Sequence, residues 1–439
     1  MDTPSSPPLP SGAASSSGGQ PSALLNQPIV IDNGTHNLRA GYAGGPSPRH
    51  IIPSIIGHSK HIRVMPGGAL EDSPTEALEG SSSIGSTVGG TAGTGSSSRG
   101  RYKVYVGKRV AEHRGAMIIR RPMRRGVVED GSWKDMERLW EHVFSRENLH
   151  TPASEHPLLL TETPFSPSSH RTRATETLFE TFRTPALHYA MPGILSLYAS
   201  GRTTGVVLDV GDGSAHAVPV YEGHALPHSV VRTDVGGCDV TEMVRTVLRR
   251  SRGYHLGTSA EMELAREIKE NVCFASSTPL TSGGWERGFG VLDDDAALTT
   301  SPYLLPDGNA LELSERDRSS PSEILFNPSL AGSEELSVSS ALLASIKRAD
   351  VDLRCSLLEN VVLAGGTTLT PGFGERVLAD LRAGGPDHAR IRIGAPPERI
   401  NSAWIGGSIL ASLSTFKNMW VTRAEWEEAG SSVWGRRGL

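Results

Sequence analysis

The sequence predicts an α/β protein built from two similar lobes, and three observations carry that expectation. A short apolar strand running into an aspartate and a glycine turn occurs twice, as Ile29-Val30-Ile31-Asp32-Asn33-Gly34 and as Val206-Val207-Leu208-Asp209-Val210-Gly211-Asp212-Gly213. Strand-like and helix-like stretches alternate along most of the chain. Its 439 residues, 37% of them hydrophobic, suffice for about three domains or one large two-lobed body.

Each copy of the repeat begins with β-branched residues suited to a buried strand, then a turn whose backbone N–H groups can approach a phosphate closely. Either copy alone is an ordinary strand end. Two together suggest facing turns that clamp a polyphosphate, with Asp32 and Asp209 holding Mg²⁺ through its retained waters. Val361-Val362-Leu363-Ala364-Gly365-Gly366-Thr367-Thr368 again runs strand into glycines, where a helix N-terminus can offer amides to a phosphate or ribose. The G-x-x-x-x-G-K-[ST] loop is missing from the sequence, and so is a G-x-G-x-x-G fingerprint after a strand.

A formal charge of −5 argues against broad nucleic-acid binding. Cys238, Cys273 and Cys355 form neither a paired framework nor a metal spacing, which fits a reducing, cytoplasmic setting. No run of 18 apolar residues and no signal-peptide pattern occurs, so membrane insertion is not expected.

Residues 1–26 and the stretch 71–100 are rich in serine, glycine, alanine and proline and are expected to be disordered, the second as an inserted loop. Between and after them, Ile29–Ile56 reads as strand-rich and Trp133–Glu147 has helical spacing. Pro157–Leu160 reads as a buried strand. Arg171–Phe182, Ile194–Ser200, Glu261–Phe274, Glu335–Ile346 and Trp404–Trp420 read as helices, the last packing through Ile405, Ile409 and Leu413. From Glu425 the chain reads as a polar, exposed tail. Arg120, Arg121, Arg124 and Arg125 make a basic cluster, either solvated or facing an acidic partner.

Six ordered motifs resemble the actin family across nearly the whole chain. They are Asp32-Asn33-Gly34, Leu197 through Gly205, Gly211-Asp212-Gly213, Leu305-Pro306-Asp307-Gly308, Ala364 through Thr368, and Trp404 through Leu413. Within the family, Lys60–Met65, Gly68–Glu71, Glu155-His156-Pro157, His216–Pro219 and Tyr221-Glu222-Gly223 look most like the centractin branch associated with dynactin. The resemblance implies two ribonuclease-H-like lobes with inserted subdomains around a nucleotide cleft. The first lobe is expected over 27–199 and the second over 200–401 with an insertion at about 236–332; helices in 402–439 then return to the first lobe.

It further implies ATP or ADP with Mg²⁺ as cofactors and Asp32 and Asp209 as the carboxylates on the metal's waters. Asn33, Gly34, Thr35, Arg39, Gly211, Asp212 and Gly213 match phosphate positions. Gly237, Arg266, Lys269, Glu270, Gly366, Thr367 and Leu369 match positions around the ribose and adenine. His216 matches a histidine near the γ-phosphate. Pro192 stands where the family carries its water-orienting glutamine, so the expected enzyme is a slow or silent ATPase. Arg39 replaces a lysine, His36 a glycine, and Arg124 and Arg125 a glutamate and histidine; Ile400 and Asn401 are expected near the adenine pocket, where a lysine and an aromatic are common. The implied role is an ATP-binding structural subunit that self-associates head to tail into a short cytoskeletal filament, with capping and dynactin-type subunits and dynein adaptors as partners. The alternatives are an active actin-type ATPase or fold-related phosphotransferase, and a monomeric actin-like adaptor in a chromatin complex.

Overall fold

The computed structural model describes residues 26–59, 104–279, 301–305, 308–386 and 388–436. Residues 1–25 of the tail, the stretch 71–100, the fragments Lys60–Met65 and Gly68–Glu71, and Pro306-Asp307 lie outside the described residues.

Two six-stranded sheets form the centres of the two halves, and both are built on one plan. In the first the order is Val421–Thr422, Ala186–Ala190, Leu158–Thr161, Ile29–Asn33, Asn37–Tyr42, His50–Pro53. In the second it runs His224–Ala225, Ala215–Tyr221, Gly205–Val210, Val361–Ala364, Ile393–Gly394, with Val231–Thr233 also pairing Ala215–Tyr221. Each aspartate-bearing strand pairs antiparallel with the strand that follows it and parallel with a strand supplied much later, Leu158–Thr161 or Val361–Ala364. The register repeats too: Asp32 lies opposite Arg39, and Asp209 opposite His216.

The parallel strands are apolar without alternation because helices cover both sheet faces, leaving Leu158–Leu160 and Val361–Ala364 buried. In the first half, helix Trp133–Phe144 contributes Trp133, Met136, Leu139, Trp140 and Val143 to the core. The second half has its own core, with Val206, Leu208, Leu342, Leu363 and Phe373 among its members.

The chain passes between the halves twice. Helix Pro192–Ala199 leads from strand Ala186–Ala190 to strand Gly205–Val210; helix Ser402–Ser412 leads back from Ile393–Gly394 toward Val421–Thr422. These two helices pack on each other. A Cβ on Gly406 would stand 1.8 Å from the Leu195 carbonyl oxygen, so only glycine allows the crossing; one on Gly407 would stand 2.9 Å from Val30 Cγ1 of the sheet beneath. The Ser402 hydroxyl donates to Ser196 Oγ at 3.0 Å across the same contact.

Several elements differ from the sequence expectation, for local reasons. Trp404–Trp420 is not one helix: it ends at Ser412 and continues as a 3₁₀ segment, Ser414–Met419. Its inward face is Trp404, Gly407, Ser408 and Ala411, whereas Ile409 and Leu413 are exposed, because the small residues set the closest approach. Arg171–Phe182 splits into helix Ser168–Glu176 and a π-type segment Thr177–Thr181. The region from Glu425 is not an exposed tail. Glu425 is the reciprocal partner of Thr422 in a capping box that starts helix Arg423–Ala429, and helix Ser432–Arg436 buries Val433 and Trp434 in the first core.

Gly406→Ala tests the helix crossing. Overpacking against backbone should cost about 3 kcal/mol or more in urea unfolding, while Gly435→Ala, where a Cβ meets nothing within 4 Å, should cost well under 1. Equal costs would contradict the crossing.

Candidate functional site

Because both halves place their aspartate at the same point before the same hairpin, the two turns meet across a cleft of about 400 Å³. Asp32, Asn33, Gly34, Thr35, His36 and Arg39 line one wall, and Asp209, Gly211, Asp212, Gly213 and His216 the other. Lys269, Glu270, Gly366, Thr367 and Leu369 complete it, together with Pro192 at the first turn of its helix. The volume is within the range of small-ligand sites.

The first carboxylate is fixed from two sides. Thr161 Oγ1 donates to Asp32 Oδ1 at 2.8 Å, and Arg39 Nη1 donates to Asp32 Oδ2 at 3.2 Å. The Asn33 amide donates to Thr161 Oγ1 at 2.9 Å, so the end of the neighbouring strand also shapes the turn. The second carboxylate has less compensation. Burial, and then the charge of Asp32, push the Asp209 carboxyl up to about 6, with Arg39 opposing. Two like charges facing one cleft, one of them poorly stabilised, suit a cation. Asp32 and Asp209, both in the cleft lining, are donors that would suit an ion keeping most of its water.

The second turn is braced from behind. Gly211 and Asp212 carbonyls accept from the Gly237 and Cys238 amides at 3.0 and 2.8 Å, and Thr367 Oγ1 donates to the Gly211 carbonyl at 2.7 Å. Gly365, with φ +85°, must be glycine: a Cβ there would stand 2.5 Å from Asp209 Oδ1. A Cβ on Gly213 would meet Thr35 Oγ1 and the Arg125 backbone at 2.9 Å, which shows how close the two hairpins come.

Gly237 and Arg266 stand behind the lining. Lys269 Nζ donates to the Gly237 carbonyl at 3.1 Å, and the Arg266 guanidinium pairs with Asp212 at 3.8 Å and packs on the His36 ring. Burial foremost, then the Arg266 charge, bring the His36 imidazole down to about 3, leaving it neutral. His216 is likewise held at about 3 by burial, with Ser214 Oγ 3.5 Å from its Nε2.

Half of the basic cluster is consumed inside the molecule: Arg121 and Arg125 are paired, whereas Arg120 and Arg124 are exposed. Arg125, in the left-handed region at φ +50°, forms a bidentate pair with Asp239 at 2.6 and 2.8 Å and donates to the Gly213 carbonyl at 3.1 Å. Arg114 and Arg121 reach Glu263 at 3.6 and 3.7 Å, whereas Arg124 is mostly solvated. These contacts span the cleft between the halves. Sequence reasoning missed Thr161, Arg125 as a clip, and Arg399, which lines the cleft and donates to Thr368. A polar residue closing the apolar run Leu158–Leu160 was the signal for Thr161; pairings such as Arg125 with Asp239 leave none in the sequence.

Comparison with known proteins agrees with this geometry. The family model described as Actin matches residues 24–438. An actin-like protein of Neurospora crassa is 45% identical over 407 residues, covering 92% of this chain and 97% of that protein. Among the described residues no helix is long and apolar enough to cross a membrane.

The Asp209 shift has a measurable sign. Its folded pKa is raised, so the stability it contributes is complete below the ordinary aspartate range and is lost as pH rises through about 6. His36 and His216, with lowered values, act oppositely, losing stability as pH falls below the usual histidine range toward about 3. The difference between wild type and Asp209→Asn isolates the carboxyl. In nucleotide-free urea titrations the variant should gain on the wild type as pH rises from 4.5 to 7.5; a constant difference would contradict the assignment.

Proposed function

The chain belongs to the actin family, and from that premise we propose that it is an ATP-binding structural subunit of a short actin-like filament, with slow or absent hydrolysis. The supporting observation is the cleft itself: two glycine hairpins, each preceded by an aspartate, face one another with Pro192 in the lining. The turns supply backbone donors for phosphate, and Asp32 and Asp209 would hold Mg²⁺ through its waters, which supplies charge neutralisation when bound. Lys269, Glu270, Gly366, Thr367 and Leu369 would take the nucleoside end.

Pro192 has no side-chain amide with which to orient an attacking water. Loss of such a group typically lowers a rate by about 10²–10⁴-fold. Its role here is mechanical: a proline in the first helical turn is already set at helical φ and starts the interlobe helix. The nucleotide then acts as a linker. At about 100 times its dissociation constant it stabilises the form it binds by roughly 2.7 kcal/mol without chemistry.

The sequence fragments that look like centractin point further, to a scaffold of the dynactin type that joins dynein to cargo on microtubules. Head-to-tail contacts do not close on themselves, so capping partners must limit the length. One observation favours a hydrolytic reading: neutral His216, lining the cleft beside Ser214, can order water.

Two measurements decide between these readings. In single-turnover assays with Mg-ATP, phosphate release should be negligible over minutes, and electron microscopy with Mg-ATP should show short filaments. Brisk hydrolysis would favour the enzyme, and persistent monomers at micromolar concentration would remove the filament role. Asp209→Ala should abolish most of the Mg-ATP-induced rise in melting temperature; an unchanged rise would refute the carboxylate pair as the metal site.

A further inference from the structure

We propose that Asn401 is a positioning residue that orients the Arg39 guanidinium and thereby sets the cleft's preference for nucleoside polyphosphates over monophosphates. The inference rests on the nucleotide reading of the cleft and deepens it.

Asn401 occupies the N-cap of helix Ser402–Ser412, where an asparagine side chain normally accepts from an amide of the first turn. It makes no such cap bond. Its Oδ1 instead accepts from Arg39 Nε at 2.8 Å, a contact between residues 362 positions apart. Arg39 Nη1 is committed to Asp32 Oδ2 at 3.2 Å. Anchors on Nε and Nη1 fix a planar guanidinium in orientation, and among the described residues Nη2 donates to none.

The fixed group stands at the phosphate end of the cleft. Nη1 lies 3.5 Å from where a Cβ on Gly34 would be, beside the first turn, and Arg39 shares Asp32 with the expected cation site. Its donors would therefore serve the phosphate end of a bound nucleotide rather than the base. An arginine free to swing would lose rotamer entropy on each binding event; Asn401 removes that cost beforehand. Because Asn401 begins a helix that joins the halves, the orientation is set from the junction itself.

The test is calorimetric titration of Mg-ATP, Mg-ADP and AMP into the full chain and its variants. Asn401→Ala should weaken ATP and ADP about 10-fold while changing AMP by less than about 2-fold. Asn401→Ser keeps a good N-cap residue but shortens the acceptor, so it should fold normally and still weaken polyphosphates. Arg39→Lys should weaken them too, and adding Asn401→Ala should cost nothing more, because the two act as a unit. Equal loss for AMP and ATP, additive losses, or unchanged ATP binding in Asn401→Ala and Asn401→Ser would overturn the positioning role while leaving nucleotide binding intact. A wild-type chain that binds no nucleotide would overturn the cleft reading itself.

Discussion

Duplication of one strand-hairpin unit forces two aspartates to face each other, and the rest of the site follows from that electrostatic confrontation. Asp32 is tolerable because Thr161 and Arg39 bind both of its oxygens. Asp209 lacks an equivalent arginine: His216, buried and neutral, occupies the cross-strand position that Arg39 fills in the first half. The pair is therefore short of positive charge on one side, a deficit that a bound divalent cation would offset. The same asymmetry gives the cleft a polarity: on one wall the carboxylate is compensated by Arg39, and on the other Asp209 has no arginine across the strand pair.

The two halves are joined so that this demand is felt throughout the molecule. The chain crosses between them at two helices that touch through Gly406 with no room for a methyl group. Away from that junction, Arg125 grips Asp239 and the Gly213 carbonyl, and Arg114 and Arg121 share Glu263. The bidentate, partly buried Arg125–Asp239 pair is stronger than a solvated one, though each ion pair still carries a desolvation cost. They close the halves around the hairpins at several points besides the ligand, consistent with a nucleotide used as a structural linker.

Much of the fold was legible because its signals are local. The apolar runs at Ile29–Ile31, Val206–Leu208 and Val361–Ala364 are buried strands whose period and length mark them as such. The glycine turns after them are legible for the same reason, and at Gly34, Gly213 and Gly365 the neighbouring backbone or side chain leaves no room for a Cβ. What escaped is what only tertiary contact decides. Ile405, Ile409 and Leu413 read as a core stripe, yet only Ile405 packs against the core; the helix is turned so that Trp404, Ser408 and Ala411 face inward and Ile409 and Leu413 are exposed. The polar composition from Glu425 onward hid Trp434, whose single large ring suffices to dock the last helix. The arginine cluster read as either solvated or facing an acidic partner, and both hold: Arg120 and Arg124 are exposed, while Arg121 and Arg125 meet Glu263 and Asp239, more than a hundred positions away in sequence and across the cleft in space.

The most direct test is a structure determined with Mg-ATP bound. The triphosphate should lie between Gly34-Thr35 and Gly211-Asp212-Gly213, with one magnesium whose waters contact Asp32 and Asp209. Phosphates bound elsewhere, or hairpins that stay apart with the ion on other groups, would contradict the account.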